Sequence, residues 1–379
     1  MTKIALLTGN GLSVALSSEF SLPNITNKFF ERLEIEHRAF IEHHMPDKYN
    51  SCDFEECIAN IEKFYDALHV HQTFYNSSSL GEKLLTSNNL NLSELLKHEN
   101  SIRESIHTYM ALILDIINWN VKKHMIDSKL KNFVNWLTSI IKEENEVELF
   151  TLNYDLLLET ILLDSLGPNK FIEYYHQAGP WFAVSKEVPR YYFNPEKVKQ
   201  QRLKNNCNTK LYHLHGSLSS FKDLKNNKTF RIKNEVIKNH NVYKRISELM
   251  IVPSIITGGQ KSDKIQEVPF NFYYEQFVNV MSDLEQLCEE LIIVGYSFRD
   301  EHINNAISKR IQLASLNNDP YPLKLIIIDY AKTDEDKEIF IRQVNEGLGL
   351  VEDTNRRFTI NDERISFEGA NSVYQYYFK

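Results

Sequence analysis

The sequence predicts an α/β protein whose core is a doubly wound parallel sheet, and three observations carry that prediction. Short apolar runs recur along the 379 residues and are continuous rather than alternating, as strands covered on both faces are. Several of the runs are followed by segments of helical periodicity. Apart from the run at 249–256, the runs end in glycine, asparagine, serine or aspartate, at the strand end that faces the ligand crevice in such sheets.

Five runs read as buried strands: KIALLTG near 3–9, VELFTLN near 147–153, LMIVPSII near 249–256, LIIVGYS near 291–297 and LKLIIID near 323–329. KLYHLHG near 210–216 is a sixth, more polar candidate. The stretch 300–314 reads as a helix with Asp300 as its N-cap and Ser297 close by. About 140 residues separate the first two strands, far more than the ~30 of a minimal βαβ unit. That span carries 3.6-residue patterns such as NITNKFFERL, DFEECIANIEKFYDAL and SIRESIHTYMALILDIINW, broken by a polar stretch at 74–93. The expected organisation is a catalytic domain of 1–20, 146–165 and 205–379, a mostly helical insertion over 21–145, and a loop-rich insertion over 166–204.

The composition is 42% hydrophobic, 25% charged and 12% aromatic, that of a soluble globular protein. No apolar run approaches the ~20 residues that span a bilayer, and the start lacks the pattern of a signal peptide, so a cytoplasmic protein without a membrane partner is expected. Cys52, Cys57, Cys207 and Cys288 form no C-x-x-C pair, which argues against a zinc ribbon or redox motif and for buried free thiols. A net charge of −8 argues against nucleic acid as the main partner. The charge is uneven: residues 197–245 hold thirteen Lys/Arg against Asp223 and Glu235, a local +11 in a remainder of −19. Such a run reads first as a solvated face or loop, and second as a docking surface for an anionic partner.

Gly9-Asn10-Gly11-Leu12-Ser13 sits where the first strand turns into a helix. Missing side chains let backbone N–H groups approach a pyrophosphate there, but the same glycines serve a plain corner. The dehydrogenase fingerprint wants a third glycine where Val14 stands, and no strand ends in an acidic residue about twenty positions on. Asn153 and Asp155, in Thr151-Leu152-Asn153-Tyr154-Asp155, are polar groups on an apolar strand; Asp155 reads either as a ligand-facing carboxylate or as a helix cap. His213 and His215 are two apart, so on a strand they share one face. A metal pair is one reading, though no third ligand is evident; a general base and a structural imidazole are the others. Gly295-Tyr296-Ser297 ends another strand, and Asp329 ends the last, where it could hold an adenosine ribose hydroxyl.

Taken in this order, the motifs resemble the sirtuin family: Gly9-Asn10-Gly11-Leu12-Ser13 for Gly-Ala-Gly-x-Ser, Thr151-Leu152-Asn153-Tyr154-Asp155 for Thr-x-Asn-x-Asp, His215-Gly216 for His-Gly, and Gly295-Tyr296-Ser297 for Gly-x-Ser. The Asn-Tyr-Asp and Gly-Tyr-Ser forms look closest to the bacterial sirtuin-like effectors of antiphage defence. The four-cysteine zinc module of deacylase sirtuins is missing from the pattern.

The resemblance implies a Rossmann-like sheet and NAD as substrate, with no metal. It places Gly9, Asn10, Gly11, Ser13, Thr151, Gly295, Tyr296, Ser297 and Asp329 along the dinucleotide. It assigns Asn153 to position a water or ribose hydroxyl, His215 as general base, Asp155 to orient the ribose or brace the loop, and His213 to structural support. The implied activity is NAD hydrolysis to nicotinamide and ADP-ribose by a homo-oligomer, possible partners including a HerA-type ATPase. The alternatives are a non-catalytic NAD or ADP-ribose sensor and an NAD-dependent protein deacylase.

Overall fold

The computed structural model describes residues 2–43, 54–77, 79, 83, 92–118, 123–143, 145–168, 170–177, 188–198, 207–257, 261–316, 320–350 and 364–378. Cys52, the polar stretch at 84–91, residues 178–187 with Pro180, and 199–206 of the basic segment lie outside the described residues.

The chain is an α/β protein, with two sheets among the described residues. Six parallel strands, β1 (Lys3–Thr8), β2 (Glu146–Thr151), β5 (Thr209–His213), β9 (Glu290–Val294), β10 (Lys324–Ile328) and β11 (Ile365–Ser366), stand in the order β11-β10-β9-β1-β2-β5. Neighbouring side chains along each strand enter different cores. Ile4 and Leu6, Val147 and Leu149, Ile292 and Val294, and Ile326 and Ile328 join one core; Ala5 and Leu7, Phe150, Leu291 and Ile293, and Leu325 and Ile327 join the other. Both faces are covered, which is why these strands read as unbroken apolar runs rather than alternating ones.

Helices of 21–145 cover the first face. α1 (Asn10–Leu16), α2 (Leu22–Arg32), α3 (Ile35–His43) and α4 (Phe54–Ser77) precede the helix Leu92–Asn118. The helix Lys131–Lys142 buries Phe133, Trp136, Leu137 and Ile140, an i, i+3, i+4, i+7 stripe. The helices Phe270–Ser282, Glu301–Ala314 and Asp334–Gly347 carry buried residues of the second core. Asp300 does occupy the N-cap position of Glu301–Ala314, but its side chain makes no capping bond.

The run at 249–256 belongs elsewhere than the parallel sheet. β8 (Ile251–Ile255) is antiparallel to β6 (Gly216–Asp223), in a second sheet of order β3-β4-β7-β6-β8 with β3 (Tyr175–Gln177), β4 (Tyr191–Phe193) and β7 (Thr229–Arg231). All five of its residues are buried, and Ile251 and Ile255 join the core of the Leu92–Asn118 helix, so burial on both sides produced the signature of a central parallel strand. The more polar 210–216 run supplies instead the edge of the parallel sheet, where Lys210 pairs with Glu148 of β2. The basic segment is thus partly folded inward: Arg231 is buried between Glu159 and Glu173. Cys57, Cys207 and Cys288 are buried and form no disulfide among the described residues.

Candidate active site

Strand register assembles the site. Thr8 stands opposite Thr151 on one side and Val294 on the other, Val294 opposite Ile328, and Thr151 opposite His213. Residues following each strand therefore emerge along one edge, with β1 at the point where the strand order switches direction. That edge gathers Gly9–Ser13, Leu152–Asp155, Leu214–Gly216, Gly295–Ser297 and Asp329.

The paired glycines are required by one another's backbone. A Cβ on Gly9 would lie 2.5 Å from Gly295 O, one on Gly11 2.6 Å from Gly295 Cα, and one on Gly295 2.5 Å from Gly11 Cα and Leu12 N. Gly295 also has φ +63°, the left-handed region that side chains resist. The contact is cemented by hydrogen bonds, Gly9 N–H to Val294 O at 3.0 Å and Gly11 N–H to Gly295 O at 2.9 Å. Both glycine donors are committed inside the protein. Asn10 Nδ2 donates to Phe20 O at 3.0 Å, which ties the turn to the segment leading into α2.

Behind this turn lies a buried polar chain. Asn153 Nδ2 donates to Gly9 O at 3.0 Å and to Ser13 Oγ at 2.9 Å, and Ser13 Oγ donates to Asp155 Oδ2 at 2.5 Å. Asp155 Oδ1 accepts from Leu157 N–H at 2.9 Å, at the start of the helix Leu157–Leu166. Both Asp155 oxygens thus hold the loop. Burial raises its pKa, while the Ser13 hydroxyl and Leu157 amide pull the other way. Thr151 Oγ1 accepts from Asn153 N–H at 3.1 Å.

A cavity of about 340 Å³ opens in front of these groups, within the range of ligand pockets. Gly9, Asn10, Gly11, Asn153, Asp155, His215, Gly295, Tyr296, Ser297 and Asp329 all line it; Ser13 and Thr151 act from behind through the bonds just given. His215 is buried, its ring 6.0 Å from that of His302. Gly216 (φ +81°) lets β8 approach: a Cβ there would lie 2.3 Å from Ser254 O, and Ile256 N–H donates to His215 O at 2.9 Å. The Tyr296 phenol turns into the second core and donates to Asn304 Oδ1 at 2.8 Å. Asp329 also lines a neighbouring hollow of about 440 Å³ beside Tyr330, Phe340 and Phe367. Burial pushes its carboxyl up to about 6.

Several lining residues escaped sequence reasoning. Phe20, just before the helical segment, and Leu22, Ile25, Phe54, Glu55 and Ile117 within it wall the cavity, and nothing in their spacing announced it. Arg299 and Asp300 directly follow the Gly-Tyr-Ser strand end, a signal that position alone offered.

His213 and His215 part company because β5 ends at His213. His213 Nε2 lies 2.8 Å from Glu159 Oε1, and Arg231 bonds Glu159, Glu173 and Ser219. Burial raises the Glu159 carboxyl, but His213 and Arg231 overcome it and the net shift is downward. Glu159, Glu173 and His213 place ligand atoms within 4.8 Å of one another, yet the Arg231 guanidinium already bonds both carboxylates. Glu159, Glu173 and Arg231 line a larger cavity of about 710 Å³ and are engaged with each other there, while Lys233, also in its lining, lies over the Tyr191 ring.

Comparison with known proteins gives one family match: a SIR2-like domain over residues 147–347. Comparison with curated proteins returns no relative. Among solved structures the chain is similar to one described as "Structural Basis for the Mechanism and Regulation of Sir2 Enzymes", at 13% identity and TM-score 0.29, covering 92% of this chain and 93% of that one. No helix among the described residues is long and apolar enough to cross a membrane.

Proposed function

The chain belongs to the SIR2-like domain family, a membership that implies an NAD-dependent, sirtuin-type activity, and from it we propose that the chain is an NAD glycohydrolase releasing nicotinamide and ADP-ribose. The observation that carries the reading is that Asn153 and His215, from the loops after two different strands, line one cavity with the Gly9–Gly11 turn and Gly295. A phosphate-bearing substrate finds a cation in Arg299, which lines the cavity. Its adenosine half extends past Asp329 into the adjoining hollow.

Cleavage of the nicotinamide–ribose bond passes through an oxocarbenium-like ribosyl group, and nicotinamide departs neutral, so no strong acid is called for. The task is orientation of the ribose and delivery of water. The Asn153 amide nitrogen is held by Gly9 O and Ser13 Oγ, so its Oδ1 is the atom that accepts from a ribose hydroxyl or the water. His215 takes the proton as the water oxygen bonds to the anomeric carbon. Asp155 braces the loop through Ser13 and Leu157.

Uncontrolled hydrolysis would drain a cell's NAD. We read the enzyme as an effector that depletes NAD in antiphage defence, working as a homo-oligomer with a partner such as a HerA-type ATPase; the Asn-Tyr-Asp and Gly-Tyr-Ser motif forms support this. The test is nicotinamide release from NAD, measured by chromatography. Asn153→Ala and His215→Ala are expected to keep the fold and lose at least ~100-fold in turnover. Wild-type turnover in both variants refutes the assignment.

A further inference from the structure

The cavity of about 710 Å³ is separate from the one that Asn153 and His215 line, and no residue among those described lines both. One of its walls is a single helical face. Leu156, Glu159, Thr160 and Leu163 follow an i, i+3, i+4, i+7 spacing at the helix Leu157–Leu166, and all four line it. The same helix sends Leu157, Leu158, Ile161 and Leu162 into the first core, so its packing against the protein is met on that side. The cavity face is additional, and Leu163 on it stands 47% exposed. Aromatic rings supply further lining: Phe171, Tyr175 of β3 and Tyr191 of β4. A concave, largely apolar surface with a few polar groups is what ligand pockets present, and covering it removes apolar area from water.

The polar groups fall into two sets. The buried set is matched within the protein. Glu159 Oε1 accepts from Arg231 Nη2 at 2.7 Å and lies 2.8 Å from His213 Nε2, and Arg231 also bonds Glu173. Lys233 is exposed and stands apart from that set. Its ammonium lies 5.5 Å from the centroid of the Tyr191 ring, and no carboxylate meets it among the described residues. An ammonium over a ring face keeps N–H donors for an anion. Lys233 also belongs to the 197–245 segment, whose excess of Lys/Arg the NAD hydrolase reading leaves unused. A cationic ligand would be repelled by Lys233, and a wholly apolar one would gain nothing from it. A molecule with an apolar body and one anionic head satisfies both the walls and the lysine.

We propose that this cavity is a binding site for a small amphiphilic anion, whose apolar body lies between the Leu156–Leu163 face and the aromatic rings and whose carboxylate, sulfonate or phosphate head is received by Lys233. The site stands on residues other than those assigned to NAD, so its fate is independent of the hydrolase reading.

The experiment titrates the full chain with the fluorescent anion anilinonaphthalene sulfonate and with phenylnaphthylamine, its uncharged counterpart, with and without saturating ADP-ribose. Wild type, Lys233→Met and Leu163→Asp are compared, and each is checked by thermal melting. Wild type binds one equivalent of the sulfonate that ADP-ribose does not displace, about 3- to 10-fold more tightly than the amine. Lys233→Met removes that preference by weakening the sulfonate while the amine stays within about 2-fold. Leu163→Asp, which sets a charge on the apolar wall at an exposed position, weakens both dyes about 3-fold or more. The proposal is overturned if all the bound sulfonate is displaced by ADP-ribose, if the preference survives in Lys233→Met, or if a folded Leu163→Asp binds both dyes as wild type does. Should Leu163→Asp unfold, the Lys233→Met comparison decides by itself.

Discussion

A methyl group on Gly295 separates two explanations of the glycine turn. If the glycines exist to admit a phosphate, Gly295→Ala changes NAD binding and leaves the free protein as stable as before. If they exist because two turns share one space, the free protein itself is damaged. The geometry supports the second. The new Cβ would stand 2.5 Å from Gly11 Cα and from Leu12 N, against backbone that no rotamer change can move. The φ of +63° adds about 1–2 kcal/mol for any side chain in that region. Overpacking against fixed neighbours adds about 1–3 kcal/mol. The sum, about 2–5 kcal/mol, is a large part of the 5–15 kcal/mol typical of a folded protein. In urea unfolding without NAD, a slope of about 3 kcal/mol/M turns this into a midpoint shift of roughly 1 M. Gly11→Ala lacks the φ penalty and should lose only the overpacking part. A Gly295→Ala protein within about 0.5 kcal/mol of wild type, with KM for NAD raised, would refute the backbone explanation.

Three further outcomes are expected. Arg231→Met leaves Glu159 buried and Glu173 half-buried without their cation, and should cost about 3–5 kcal/mol in urea unfolding; a loss below 1 kcal/mol would show the network to be dispensable. Asp329 has its carboxyl raised from 3.8 to about 6, so the folded state holds the proton more tightly, and the associated stability is present below pH 3.8 and lost as pH rises through 6. Asp329→Asn should then exceed wild type in stability by about 1–3 kcal/mol at pH 7.5 and match it below pH 4, and a difference that does not vary with pH contradicts the burial argument. If Tyr296 acts through Asn304 rather than on substrate, Tyr296→Phe should leave KM for NAD within about 2-fold while reducing stability by about 0.5–1.5 kcal/mol; a large rise in KM would place the phenol in the site.

Much of this architecture was legible from residue order because the forces behind it are local or periodic. A sheet buried on both faces demands unbroken apolar strands, and Lys3–Thr8, Glu146–Thr151, Glu290–Val294 and Lys324–Ile328 show them. Loops at strand ends carry the polar chemistry, so Asn153, His215 and Asp329 stood out against apolar neighbours. The same logic misassigned Ile251–Ile255, since burial on two sides looks identical whether the strand pairs in parallel or antiparallel.

By itself the sequence determined that strands end in a row of glycines, an amide, an imidazole and a carboxylate, because those residue types are read off directly. Tertiary structure decided where each stands and what it touches. Register placed Thr8, Thr151, His213, Val294 and Ile328 abreast, which turned scattered motifs into one edge. Close backbone approach explained Gly9, Gly11 and Gly295 through each other. The end of β5 at His213 sent that ring to Glu159 and left His215 to the cavity. Chain reversal carried Glu55 to Tyr154 from a helix far away in sequence. Proximity between distant residues depends on how the whole chain packs, and no local pattern encodes it.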